Sequence, residues 1–165
     1  FFGTLYEKFP YKFLVSKLVE ISNYSKRNLE IMIMGRQRQK TGLQKLKKFS
    51  HIHKFLISET KELPANDISI KLQNCDFGVS TTPYDIIGKS GATTAMLEHG
   101  LPIVAYDDGD TPKQKLFVMN RFKDQIFLLN ENLMSDRLIA FMQKPRKTFF
   151  AGIPYTAKKM LELTL

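Results

Sequence analysis

Residues 76–106, DFGVSTTPYDIIGKSGATTAMLEHGLPIVAY, decide the fold. They read as a strand, a polar loop, a glycine-rich turn, a short helix and a second strand. Ser90 is placed to cap the helix, because its hydroxyl can accept an N–H that the first helical turn leaves unpaired. Ala92, Ala95, Met96 and Leu97 fill the helix, Gly100 ends it, and Pro102 prevents its continuation. Just ahead of it stand Gly88, Lys89, Ser90 and Gly91. A helix N-terminus offers N–H groups and partial positive charge to an anion. Two glycines let the backbone come close, and Lys89 adds a cation. The pattern predicts a phosphate cradle at Gly88, Lys89, Ser90 and Gly91.

Outward from this stretch, strands and helices alternate. Phe1–Leu5 reads as a strand and Gly3–Pro10 as the loop in which it ends. Phe13, Leu14, Leu18 and Ile21 recur at helical spacing within 11–24. Leu29–Met34 is nearly all apolar, as expected of a strand covered on both faces. A basic helix over 41–50, a short strand at Phe55–Ile57 and a helix over 65–74 precede the strand Asp76–Ser80. Leu101–Tyr106 and Ile126–Leu129 are the next strands, with helices over 112–122, 132–143 and 155–164. This order predicts an α/β fold, a Rossmann-like doubly wound parallel sheet of about six strands with helices on both faces. Ligands of such sheets bind beyond the carboxyl ends of the strands, where strand order reverses. The loops to inspect are therefore 3–10, 35–40, 58–64, 81–91 and 107–112. Residues 1–148 are expected to form one α/β domain, and 149–165 a linker and a last helix.

The 165 residues are 43% hydrophobic and 25% charged, which suits a globular domain. The chain opens on Phe1-Phe2-Gly3 inside an apparent strand, as a piece cut at a domain boundary would. A single cysteine, Cys75, allows no internal disulfide and fits a reducing cytosol. No apolar run approaches the ~20 residues that span a bilayer, and no cysteine or histidine cluster suggests zinc. The formal net charge of +9 favours anionic partners. Arg36, Arg38, Lys40, Lys45, Lys47, Lys48 and Lys54 fall within 36–54 without one acidic residue. That stretch is expected to be a solvated helix face or a contact with an anionic membrane surface. No nucleic-acid-reading motif accompanies it.

Two glycine-rich motifs do not fit. A P-loop needs an earlier glycine where Pro83 stands, and a dinucleotide fingerprint needs three spaced glycines after the first strand. From Gly3 to Leu129 the chain instead resembles the C-terminal, nucleotide-sugar-binding half of a GT-B glycosyltransferase. Gly88, Ser90, Ala95, Met96, Gly100, Pro102 and Ile103 carry the resemblance. So does the opening, where Gly3 and Lys8 suit a strand–glycine–loop that touches the donor diphosphate, with Thr4 in place of an arginine. The Leu29–Gly35 strand followed by Arg36 agrees.

The resemblance implies transfer of a sugar from a nucleotide-sugar to a glycan, lipid or other acceptor, in the cytoplasm or at the inner face of the membrane. It implies an upstream acceptor-binding domain, no metal cofactor, and donor diphosphate contacts from Lys8, Gly88, Lys89, Ser90, Gly91 and Ala92. Donor sugar or ribose contacts would come from Thr81, Thr82, Thr93, Thr94 and Glu98. Catalytic residues are not legible, since a base would come from the absent half. The family's two signature glutamates fall at Ile86 and Thr94, so neither carboxylate is present, and Glu98 is the nearest substitute. Glu59 and Glu62 are placed to meet base or ribose. Asp107, Asp108 and Asp110 form an acidic turn more in keeping with a helix start than a metal site, and His51 and His53 read as surface residues. The rival readings are a degenerate nucleotide-binding or scaffolding domain, a sugar-nucleotide epimerase and a P-loop NTPase.

Overall fold

The computed structural model describes residues 1–37, 40–107, 124–129 and 135–146. Within these, α1 spans Tyr11–Ser25, β1 Glu30–Met34, α2 Thr41–His53, β2 Leu56–Thr60 and α3 Ala65–Gln73. Next come β3 (Gly78–Val79), a 3-10 helix (Tyr84–Lys89), α4 (Gly91–Glu98), β4 (Ile103–Tyr106), β5 (Ile126–Leu129) and α5 (Ser135–Met142). The fold is mixed α/β with every strand pairing parallel. β1 pairs with β2, and β3, β4 and β5 form a second sheet in that order. The helices expected over 112–122 and 155–164, and the whole of 149–165, lie outside the described residues.

About six strands were expected, and among the described residues five are found, in sheets of two and three. The segment Phe1–Leu5 is the exception. It makes one parallel bridge, Phe2 to Met34, with Met34 N–H donating to Phe1 O and Gly3 N–H to Met34 O, both at 2.9 Å. Beyond Gly3 the backbone turns away, because Gly3 adopts φ +86°, a left-handed conformation that breaks a strand.

Alternating side chains of the strands supply two cores, as the pleat requires. Ile31 and Ile33 of β1, Val79 and Val104 pack with Leu14, Val15, Leu18 and Ile21 of α1, Leu46 of α2, and Leu138 and Phe141 of α5. Met34 and Ile103 pack with Leu72 of α3 and with Met96 and Leu97 of α4, joined by Met32 and Ile68. Ile103, Val104 and Ala105 are fully buried, which makes β4 the innermost strand. Each buried aliphatic side chain contributes roughly 1.5–3 kcal/mol relative to exposure.

Helix ends follow local chemistry. α1 and α2 stop at Lys26 and Lys54, both left-handed at φ 55° and 56°. α2 runs three residues past the expected Ser50, through Ile52, which faces outward. β2 extends to Thr60, past the apolar run that suggested Phe55–Ile57. It is an edge strand whose ladder to β1 holds Ser58, Glu59 and Thr60 in place despite their polarity.

The first loop is anchored from below. Leu5 and Phe9 are buried, the Phe9 and Tyr11 rings lie 5.1 Å apart, and Phe9 meets Tyr106 edge-on at 6.2 Å. The Tyr11 hydroxyl donates to Tyr6 O at 2.7 Å. Burial pushes the Tyr11 phenol above its usual value. Its folded pKa is therefore raised, so its stabilising contribution is complete below ~10, the unfolded value, and fades as pH rises beyond that. Tyr11→Phe is expected to cost about 1 kcal/mol in urea unfolding and to remove a late-ionising phenol from an alkaline absorbance titration.

Candidate functional site

The sequence pointed to the N-terminus of α4. Ser90 caps it, with its Oγ accepting the Thr93 N–H at 3.2 Å and the Thr93 hydroxyl at 2.9 Å. The single hydroxyl proton of Thr93 is thereby used, so the Ser80 hydroxyl is the donor in the 2.8 Å bond between Ser80 and Thr93. The result is a directed chain, Ser80 to Thr93 to Ser90. Ser80 and Thr93 are buried, and Ser90 is half-buried. The Ser90 hydroxyl proton has no acceptor among the described residues.

The backbone donors divide unevenly. Ser90 N–H is committed to Ile87 O at 3.0 Å, Thr93 N–H to the Ser90 hydroxyl, and Thr94 N–H to Ser90 O. The cradle expected from the N–H groups of Ser90, Gly91 and Ala92 therefore loses its first member. Among the described residues the N–H groups of Gly91 and Ala92 have no acceptor, as first-turn amides of a helix do. A Cβ built on Gly91 meets nothing within 4 Å, so this turn opens onto free space.

The first loop reaches the same place. A Cβ on Gly3 would stand 3.1 Å from Ala92 Cβ, so the bare Gly3 backbone lies directly against the first turn of α4. Thr81 joins the two segments. Its hydroxyl donates to Thr4 O at 2.8 Å and accepts Tyr6 N–H at 3.0 Å. On the other flank Gln37 accepts Leu5 N–H and donates to Gly3 O and Gly35 O. Lys45 Nζ donates to Glu7 O from α2. Lys8 is exposed on the Tyr6–Phe9 turn, with no partner for its ammonium among the described residues.

The residues assigned to sugar or ribose are rearranged by this geometry. Thr81 is 7% exposed and both bonds of its hydroxyl serve the first loop, so it positions that loop. Thr93 is 2% exposed and belongs to the hydroxyl chain. The Thr94 hydroxyl donates back to Ser90 O at 3.1 Å. Glu98 closes α4, seven residues and about 10 Å along the axis from Gly91, too far to serve the same N-terminus. Thr82 stays half-buried beside Thr81. Gly88 and Lys89 are exposed and end the 3-10 helix that replaces the expected polar loop. That short helix, begun at Pro83, buries Ile87 against Ala105 and leaves Ile86 outside. Burial and then the Asp107 carboxylate raise the Tyr84 phenol. Asp108 and Asp110 lie outside the described residues, and among the described ones no three metal-ligating side chains converge. His51 and His53 are exposed in the last turn of α2.

A cleft of about 960 Å³ opens beside the first loop, at the carboxyl ends of β1 and β2. Arg36, Lys40 and Lys61 line it with Glu62, and a 2.6 Å ion pair joins Lys47 to Glu59. Thr60 Oγ1 is buried on its wall with no partner among the described residues. Of the expected contacts for base or ribose, Glu59 and Glu62 both fall here.

Thr81→Val removes two hydrogen bonds and leaves the Tyr6 N–H unpaired. It is expected to cost about 1–3 kcal/mol in urea unfolding and to loosen the first loop, read as faster amide exchange at Tyr6.

No family model, curated protein or solved structure matches this chain significantly.

Proposed function

We propose that this chain is the donor-binding half of a glycosyltransferase, holding the diphosphate of a nucleotide-sugar at the N-terminus of α4 without a metal. The observation that carries the reading is the meeting of Gly3 with Ala92 in front of two unspent N–H groups. Gly91 and Ala92 would bind one phosphate, and the free Ser90 proton would complete the contact. Lys8 and Lys89 would supply compensating positive charge. Charge-assisted bonds of this kind are worth roughly 1.5–3 kcal/mol each. A leaving diphosphate gains negative charge as the glycosidic bond breaks, and fixed dipoles aimed at that charge lower the barrier.

The strand arrangement supports the same reading. Counted through its bridge to β1, Phe1–Gly3 would extend the first sheet to the order β2, β1, Phe1–Gly3, with β3, β4, β5 as the second sheet. Were the two sheets to adjoin at Phe1–Gly3 and β3, where Thr81 just after β3 bonds Thr4 and Tyr6, the order would be doubly wound and would reverse beside the α4 turn. On this reading the nucleoside would extend into the cleft at the carboxyl ends of β1 and β2, with Glu59, Glu62 and Thr60 as its polar groups.

Calorimetric titration with UDP, GDP, ADP and ATP, in Mg²⁺ and in EDTA, tests the proposal. Diphosphate binding that survives EDTA is the expected result. Binding confined to Mg²⁺-loaded triphosphate, or no binding, would sink it. A second reading, a binding domain without transferase activity, is favoured by Thr94. Its hydroxyl is turned back to Ser90 O where the resembled family carries a ribose-holding carboxylate. Diphosphate binding by an intact protein that releases no sugar from any nucleotide-sugar would favour this second reading.

A further inference from the structure

We infer that the end of the domain opposite the candidate site docks on an anionic lipid surface. Because the strands are parallel and each helix returns antiparallel to them, the last turns of α1, α2 and α3 share one end of the molecule with the start of β2. Four of the six large apolar side chains exposed among the described residues fall here. They are Tyr24 at 80% exposure, Leu56 at 69%, Ile70 at 57% and Ile52 at 56%. The other two, Tyr6 and Ile86, lie at the opposite end.

A lysine stands within two positions of each of these four side chains in the sequence: Lys26, Lys54 or Lys71. Lys26 and Lys54 occupy the left-handed residues that end α1 and α2, so both are held at the rim. Lys48 lies one turn before Ile52 on the same exposed face of α2. Two of the acids at this end have partners. Asp76 pairs with Arg27 at 3.3 Å, and Glu30 accepts the Ser58 hydroxyl at 2.9 Å. The basic stretch 36–54 thus divides in two. Lys47 and Lys45 are bound to Glu59 and Glu7 toward the candidate site, while Lys48 and Lys54 face away from it.

Exposed aliphatic and tyrosine side chains within a basic rim match the two layers of a bilayer interface, acyl boundary and anionic headgroup. A polyanion such as nucleic acid would use the lysines and leave Ile52 and Leu56 idle. A second copy of the chain would bring like charge to like charge. Docking by this end would hold the α4 turn away from the membrane, open to a soluble nucleotide-sugar, and is independent of what that turn binds.

Vesicle co-sedimentation of the chain tests the proposal, with vesicles of phosphatidylcholine alone and with about a third phosphatidylglycerol. Binding to the anionic vesicles only is expected, weakening with salt as screening requires. Lys48→Gln and Lys54→Asn should each lower the partition coefficient about fivefold. The double variant Ile52→Ser, Leu56→Ser should lower it about tenfold or more, with an unchanged circular dichroism melt. No binding to anionic vesicles would overturn the proposal. So would binding indifferent to Ile52 and Leu56, which would indicate a purely electrostatic partner such as nucleic acid.

Discussion

Gly91→Val is expected to abolish diphosphate binding, at least a hundredfold in affinity, while leaving the fold intact. The two halves of that expectation have separate causes. Gly91 has no positive φ, and a Cβ there meets nothing within 4 Å, so the chain accommodates a side chain at little steric cost. A β-branched residue in a first helical turn costs only tenths of a kcal/mol in propensity. The space the new methyls would fill is, on the proposed function, the space of the phosphate. They would cover the N–H groups of Gly91 and Ala92 and displace any anion bound to them. Losing two charge-assisted bonds at roughly 1.5–3 kcal/mol each corresponds to a hundredfold or more. Calorimetry reads the binding and a urea titration reads the stability. Unchanged binding with an intact fold would remove the α4 turn from the site.

Gly3→Ala should do the reverse, damaging the fold first and binding through it. Gly3 sits at φ +86°, where a Cβ is strained by roughly 1–3 kcal/mol. That Cβ would also meet Ala92 Cβ at 3.1 Å, and crowding of this kind costs about 1–3 kcal/mol. The neighbour is a methyl fixed on a helix and cannot swing aside, so α4 or the first loop must move. A total of about 2–6 kcal/mol is expected in urea unfolding, a large share of a small domain's stability. Diphosphate binding should weaken in parallel, because the first loop and α4 would no longer meet. A stability loss under 1 kcal/mol would show that the two segments are less closely joined than described.

Elements with a local signal were legible in the sequence. Ser90 and Gly100 bracket α4 as their chemistry demands, with the hydroxyl on an N–H and Gly100 at φ 71°. The apolar period of 11–24 gave α1 nearly to the residue. Features defined by partners distant in the chain were not legible. Nothing near Thr81 announces that its hydroxyl ties Thr4 to Tyr6, because those residues lie 77 and 75 positions away. The Ser80–Thr93 bond spans 13 positions and likewise depends on how β3 meets α4. The 3-10 helix is not legible in the sequence, because a six-residue segment offers too little periodicity. The outward-facing Ile52 gave no reason to extend α2, and the polar end of β2 hid an edge strand. The candidate anion site was located from Gly88–Gly91. Its list of donors changed because Ser90 N–H had already found a carbonyl.

The most direct test of the central claim is an amide NMR titration with UDP and GDP in EDTA. If α4 holds the diphosphate, the Gly91 and Ala92 amide resonances should shift most, in the downfield direction of a strengthened hydrogen bond, and Gly3 should follow. Shifts confined to other parts of the chain, with Gly91 and Ala92 unmoved at saturation, would contradict the account.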